Sequence, residues 1–456
     1  MGNVVTISGG RLRGETGEDG LTAYRGIPYA QAARFAPPGP APSWTGVRDA
    51  TRHGPMSPQP PFRPGSVTGE PPPAPQDEDC LNLTVLTPGT EGPKKPVLVW
   101  IHGGAYVTGS ASLEFYQGRR LAAEGDVVFV GINYRLGALG YLKLDGVSPG
   151  NLGLLDQIAA LRWVRENIAA FGGDPGAVTV LGQSAGAHSI ACLMAVPETR
   201  GLFHRAIVQS APLGLKIAGQ RASDRIARFF TAALRKDPRT ATVDEILAAQ
   251  GKAIARASGP GGIYSVPPFC PAAETDPLPS AARWLDDAAS RAREVDVLIG
   301  TTRDEMNTYL NNRPELAPLE AIGPVRKGFD AVKTGITKFV FETPSRRFAD
   351  KLATAGGKVF GYRFDWSAPE SGFGACHCIE LPFLLGDRAS WAPAPMLAGT
   401  DWDELAELGH RLRGAWLSFA RTGFPGWEAH SAGAPLGFRW RDSGPNQRVS
   451  PAAGRR

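Results

Sequence analysis

Short apolar runs rich in β-branched residues recur along the chain, each closed by glycine, proline or a polar turn residue. The strongest cover residues 97–101, 127–132, 178–181, 206–208, 295–299 and 359–364. Their apolarity is nearly continuous rather than alternating, the pattern of strands covered on both faces, and it predicts a mostly parallel sheet. The β-branched run at residues 4–7 predicts a further strand. Between the runs the period changes. Over 154–170, Leu154, Leu155, Ile158, Leu161, Val164 and Ile168 share one helical face. Phe171-Gly172-Gly173-Asp174-Pro175 then predicts a stop, because glycine ends a helix readily and proline cannot continue one. Leu405, Leu408, Leu412, Trp416 and Phe419 mark a second amphipathic helix over 404–420. Strand–helix alternation on this scale predicts a doubly wound α/β fold, a large sheet with helices on both faces. No long polar linker divides the chain, so residues 1–456 are expected to form a single domain. The proline-rich stretch 55–75 is expected as a long loop, and 311–335 as helical excursions above the sheet.

Candidate chemistry sits where these elements meet. The run 178–181 leads into Gly182-Gln183-Ser184-Ala185-Gly186, and residues 187–194 suit a helix. In this strand–turn–helix setting the motif G-x-S-x-G holds its serine on a strained turn and exposes Oγ at the carboxyl end of the sheet. Outside that setting it would be a glycine-rich turn that happens to contain serine. The run 97–101 is followed by His102-Gly103-Gly104-Ala105. N–H groups of Gly103 and Gly104, with that of Ala185 after the serine, are expected to form a three-donor oxyanion hole. His102 has no second metal ligand at helical or hairpin spacing and is expected to orient this loop instead.

A base and an acid must accompany the serine. Of seven histidines, His53 and His102 precede Ser184, His188 and His410 fall within predicted helices, His204 sits in a short connection and His430 in the irregular C-terminal region. His377 alone falls in a loop shortly after the last strong strand, where the order Ser…Asp/Glu…His places the base. The strand 295–299 opens into Gly300-Thr301-Thr302-Arg303-Asp304-Glu305. Spacing leaves both Asp304 and Glu305 as candidates for the acid, and Asp304 could serve as a helix cap.

Composition narrows the partners. Lys and Arg number 49 against 44 Asp and Glu, so a net charge of +5 is spread over 456 residues without basic clusters, and neither nucleic acid nor a membrane surface is expected. No apolar stretch approaches the ~18 residues of a membrane span. Residues 1–7 lack a signal-peptide pattern, and the weak myristoylation spacing of Gly2 and Thr6 yields to the strand reading. Five scattered cysteines form no disulfide framework, which suggests a reduced, cytoplasmic protein.

The motifs resemble the type B carboxylesterase family of α/β-hydrolases, the group that includes bacterial para-nitrobenzyl esterases and cholinesterases. The resemblance spans nearly the whole chain: Tyr24 to Ala30, Glu78 to Leu83, the His102-Gly103-Gly104 loop, Asn133-Tyr134-Arg135, Asn151 to Gln157, Phe171 to Pro175 and the serine motif. It implies Glu305 as the acid, His377 ahead of Glu380-Leu381-Pro382-Phe383 as the base, and loop and helix excursions over the site. It also implies ion pairs Arg25–Glu78 and Arg135–Asp174 as scaffold, and Ser210 as a partner behind the triad. Departures matter. The stretch 56–59 has no cysteine to pair with Cys80, so Cys80 is expected as a free, buried thiol. The loop 57–78 has no tryptophan to hold a quaternary ammonium, and Gln183 is neutral where cholinesterases carry glutamate, so a choline ester is not expected. The short stretch between Glu305 and Phe364 implies reduced cover and a more open gorge. In Cys376-His377-Cys378 adjacent residues cannot converge on one tetrahedral ion, so no metal is expected, and the cysteines are read as packing residues.

The resemblance implies a serine carboxylesterase acting through an acyl-enzyme on apolar or aromatic esters, without metal or organic cofactor. Its partners would be small ester substrates, and its state a monomer or small homo-oligomer. Tyr106, Leu213 and Phe373 are expected as pocket walls. Two alternatives stand beside this reading: a non-catalytic, cholinesterase-like binding protein on the same fold, and a thioesterase, amidase or lactonase using the same triad.

Overall fold

The computed structural model describes residues 3–61, 65–215, 217–258, 267–311 and 323–441. Its central sheet contains β1 (Glu15–Thr16), β2 (Thr22–Pro28), β3 (Asn82–Thr87), β4 (Lys95–Ile101), β5 (Val128–Ile132), β6 (Gly173–Gln183), β7 (Arg205–Gln209), β8 (Asp296–Thr302), β9 (Val359–Phe364) and β10 (Phe438–Trp440). They lie in the order β10-β9-β8-β7-β6-β4-β5-β3-β2-β1. Neighbours from β10 to β5 are all parallel. The β5–β3, β3–β2 and β2–β1 pairs are antiparallel. The six strong apolar runs are all strands of the parallel part. The antiparallel edge escaped the apolar pattern because β2, Thr22–Pro28, contains Gly26 at φ 62 and its register with β3 shifts between Tyr24 and Ile27. Residues Val4–Ile7 form a strand as expected, in a separate three-stranded sheet.

Side chains alternate across the sheet and feed two cores. Val97, Val99 and Ile101 of β4 join one core with Val128, Val180 and Val208; Leu98 and Trp100 join the other with Phe129, Leu181 and Ile207. This period of two explains why both faces of each run are apolar. Five helices frame the sheet and the site: α1 (Leu152–Asn167), α2 (Ala185–Met194), α3 (Gly323–Thr337), α4 (Thr343–Thr354) and α5 (Trp402–Thr422). Leu154, Ile158, Leu161 and Val164 of α1, Ile190 and Leu193 of α2, and Phe348 and Leu352 of α4 enter the first core; Leu405, Leu408, Leu412, Trp416 and Phe419 of α5 enter the second. α1 gives way to a 3-10 turn at Ile168–Phe171 and stops at Gly172, φ 82, at the predicted glycine. α5 starts at Asp401, whose carboxylate accepts from Asp403 N and Glu404 N, and ends at Gly423, φ 75.

Within the proline-rich stretch, Gly65–Thr68 forms one helical turn, while 62–64 lie outside the described residues. Within the expected excursions over 311–335, α3 is helical and 312–322, part of the stretch expected to be reduced, lie outside the described residues; Asn307–Leu310 adds a short helix just before them. Both scaffold ion pairs are corrected. Arg25 pairs with Glu15 at 2.9 Å, and Glu78 is taken by Arg34. Arg135 binds Asp156 of α1 through Nε and Nη2 at 2.8 and 2.7 Å, almost fully buried. Asp174 instead accepts from Gly176 N in its own turn.

The chain leaves β4 toward β5 on one side, and β6 lies on the other. Loops from the carboxyl ends of β4 and β6 therefore diverge at this point, which opens a crevice at the edge of the parallel sheet.

Candidate active site

β6 delivers Ser184 into that crevice at φ 57, ψ −122, a conformation few non-glycine residues hold without support. Support comes from close packing of the turn. A Cβ on Gly186 would run into the Ile101 carbonyl oxygen, so only glycine lets the first turn of α2 settle on the end of β4. Ser184 opens into a cavity of about 300 Å³.

The loop after β4 closes on itself through Val107 N and Thr108 N, both donating to Gly104 O at 3.1 and 3.0 Å. Gly104 has φ 112, and a side chain there would strike Thr108 O. Below the loop, the His102 ring stacks on Tyr134 with centroids 4.4 Å apart, and its Nδ1 donates to Gly103 O at 2.9 Å. Burial pushes the His102 imidazole down to about 4, so it is neutral and orients the loop as the sequence suggested. Among the described residues no acceptor takes the N–H groups of Gly103, Gly104 or Ala185. Three donors thus remain free beside the serine.

The two adjacent carboxylates after β8 point apart. Glu305, fully buried, accepts from Thr302 N at 2.8 Å through Oε1 and from His377 Nδ1 at 2.5 Å through Oε2. Asp304 faces the histidine loop: its N–H donates to Ala375 O at 2.8 Å and its Oδ2 accepts from Ala375 N at 3.0 Å. Asn307 Nδ2 donates to Phe373 O at 2.8 Å and Thr308 Oγ1 to His377 O at 3.0 Å, so four hydrogen bonds in all pin that loop. The second ring nitrogen, Nε2, lies 3.1 Å from Gln183 Nε2 and accepts from that amide, because Nδ1–H is committed to Glu305. His377, Ser184 and Gln183 line the same cavity. From the sequence Gln183 stands out only as neutral; its place beside Ser184 was the signal for this contact.

Behind Ser184, His377 and Glu305, both oxygens of Glu380, Gln209 Nε2, Ser210 Oγ and Tyr362 Oη are buried without a hydrogen-bond partner among the described residues. Burial, and then Glu305, push the Glu380 carboxyl up to about 8, which favours its protonated form at neutral pH. Burial also pushes the Cys376 thiol up to about 12 and the Cys378 thiol well above its usual range, so neither is a ready nucleophile. Cys376 is packed away as expected, whereas Cys378 lines the cavity. All five cysteines, Cys80 included, are free and buried. No group of three metal-ligating side chains occurs among the described residues.

Of the expected pocket walls only Tyr106 lines the cavity, with Phe115, Tyr116, Leu215, Val340, Phe341 and Trp391. Leu213 faces a separate hollow beside Trp284 and Phe348; the turn closed by Leu215 N donating to Pro212 O brings Leu215 to the cavity in its place. Phe373 packs against the second core.

Strand order, nucleophile turn and crevice together define an α/β-hydrolase. The carboxylesterase family model matches residues 1–319 and 326–446. This chain belongs to the carboxylesterase family, and it is a carboxylic ester hydrolase. It is 44% identical to a probable N-octanoylanthranilate hydrolase, AqdA2, of Rhodococcus erythropolis, over 94% of this chain and 96% of the relative. It is 35% identical to the para-nitrobenzyl esterase of Bacillus subtilis (strain 168), over 93% and 91%. A thermophilic PNB esterase structure superposes with a TM-score of 0.84 at 34% identity, covering 98% of both chains.

Proposed function

We propose that Ser184, His377 and Glu305 are the catalytic triad of this hydrolase, with Gly103, Gly104 and Ala185 as its oxyanion hole. The observation that carries the assignment is the buried His377 Nδ1–Glu305 Oε2 bond of 2.5 Å, with the imidazole opening into the cavity of Ser184. In the resting enzyme Gln183 occupies Nε2. In the reaction Nε2 takes the Ser184 proton as Oγ adds to the substrate carbonyl, and the three free N–H groups receive the negative oxygen. Glu305 fixes the tautomer and stabilises the imidazolium. His377 then protonates the leaving group, and water repeats the sequence on the acyl-enzyme. Fluorophosphonate labelling followed by peptide mapping tests the assignment: the label is expected on Ser184, and a label elsewhere rejects it.

The aromatic and aliphatic cavity walls suit an apolar acyl chain and an aromatic leaving group. The relative at 44% identity is named for a substrate whose octanoyl group is carried on nitrogen, which favours a second reading, hydrolysis of N-acyl aromatic amines by the same triad. A panel of octanoyl ester, thioester and anilide with one aromatic group separates the readings by their kcat/KM. Residues 1–456 act as one catalytic unit, as a monomer or small homo-oligomer. Five unpaired thiols support a reducing compartment, the cytoplasm.

A further inference from the structure

The two parts of the oxyanion hole come from separate elements, Gly103 and Gly104 from the loop after β4 and Ala185 from the start of α2. Something must fix their separation, because donors act on the developing oxyanion only when they converge within a few tenths of an ångström. The loop is not a relaxed turn. Its next residues, Ala105 and Tyr106, stand at φ 55 and φ 64, left-handed values that non-glycine residues hold only under constraint. Tyr106 is the residue that spans the gap. Its Oη lies 2.6 Å from Nδ1 of His188, which sits on α2 one turn beyond Ser184, and the two residues are 82 apart in sequence.

The rest of the contact is built to keep that bond. Gly137 N donates to Tyr106 O at 2.7 Å, and the Tyr106 ring meets the edge of Tyr141 at 4.9 Å. Next to His188 on α2, Ser189 Oγ accepts from Gln157 Nε2 of α1 at 3.2 Å. The other ring nitrogen, His188 Nε2, is buried with no partner among the described residues. A leucine at 188 would avoid that unpaired group, and the bond to Tyr106 is the contact that offsets its cost. Burial pushes His188 down to about 4, which keeps the ring neutral.

We propose that the Tyr106–His188 hydrogen bond is a tether that sets the distance between the loop donors and the helix donor of the oxyanion hole, making both side chains positioning residues. The proposal rests on the assignment of Gly103, Gly104 and Ala185 above. Tyr106→Phe removes the bond and leaves the pocket wall. Losing one donor outright costs ~10²–10³, and misplacing donors costs less, so kcat for a para-nitrophenyl ester is expected to fall about 10- to 100-fold with KM within about twofold. The inhibition constant of an alkyl trifluoromethyl ketone, whose adduct with Ser184 puts a negative oxygen in the hole, is expected to weaken by the same factor. His188→Leu should reproduce the loss, and His188→Asn, whose Oδ1 reaches the place of Nδ1, should restore most of it.

A Tyr106→Phe enzyme with both constants within twofold of the parent overturns the tether, and so does one in which only KM changes, since that marks a pocket wall. Should Tyr106→Phe not fold, the His188→Leu and His188→Asn pair decides: equal kcat in the two overturns it. Failure of the triad assignment shows separately, as fluorophosphonate labelling away from Ser184.

Discussion

Ser184 and its three candidate N–H donors stand on the adjacent ends of β4 and β6, whereas Glu305 and His377 come from loops after β8 and β9. The first side is made of backbone. Its geometry follows from parallel register, a glycine that admits α2 and two turns of a few residues each. The second side is made of side chains. Glu305 and His377 are 72 residues apart and meet because Asp304, Asn307 and Thr308 each bond the loop 373–377. Backbone positions an atom through the fold as a whole; a side-chain pair can be lost by one substitution. On the backbone side only a contact that holds the two elements together, such as Tyr106–His188, should therefore matter, while Glu305 and His377 should each respond to their own substitution.

The sharpest test on the backbone side is Ser184→Ala, expected to lower kcat for a para-nitrophenyl ester about 10⁴–10⁶-fold with the thermal melt unchanged. Undiminished turnover would remove the serine from the mechanism. On the other side, Glu305→Gln is expected to cost about 10⁴ in kcat by leaving His377 in the wrong tautomer, while Asp304→Asn, which loosens a loop but keeps the Glu305–His377 bond, is expected to cost no more than about tenfold. The reverse ranking would exchange the roles of the two carboxylates. In the scaffold beneath both sides, Asp156→Ala leaves Arg135 buried and unpaired and is expected to destabilise by about 3–5 kcal/mol in urea titration, against less than about 0.5 kcal/mol for Asp174→Ala. Equal losses would restore the pairing expected from sequence.

A further effect is one of pH. The folded state raises the Glu380 carboxyl from 4.5 to about 8, so it favours the protonated form. That contribution is complete below the unfolded value and fades as pH rises through about 8. The melting temperature of the parent is thus expected to drop more between about pH 5 and about pH 9 than that of Glu380→Gln, and parallel curves would mean that Glu380 ionises freely in the fold.

Much of the first side could be read from the chain because its rules are local. Gly182 to Gly186 between an apolar run and a helical period already specify a turn with serine at its tip, and His102 to Gly104 stand directly after a strand. Glu305 and Asp304 were inseparable by spacing, since adjacent residues share every local signal. They part only when Thr302 N and His377 take one carboxylate and Ala375 the other. Arg135 was matched with the wrong aspartate for the same reason: Asp156, on α1, is brought to it by helix packing that charge patterns do not register. Leu213 and Phe373 were misplaced as walls because a single turn decides which of two neighbouring apolar residues faces a cavity.

By itself the sequence determined the parallel strands, the main helices, the serine turn and the glycine loop, all of which depend on contacts within a few residues or on a period of two or 3.6. The tertiary structure alone decided which carboxylate meets the imidazole, what occupies its other nitrogen and which arginine pairs with which acid. Those choices depend on side-chain direction across long loops, where burial makes one hydrogen-bonding arrangement far better than its neighbours and no local pattern carries the difference.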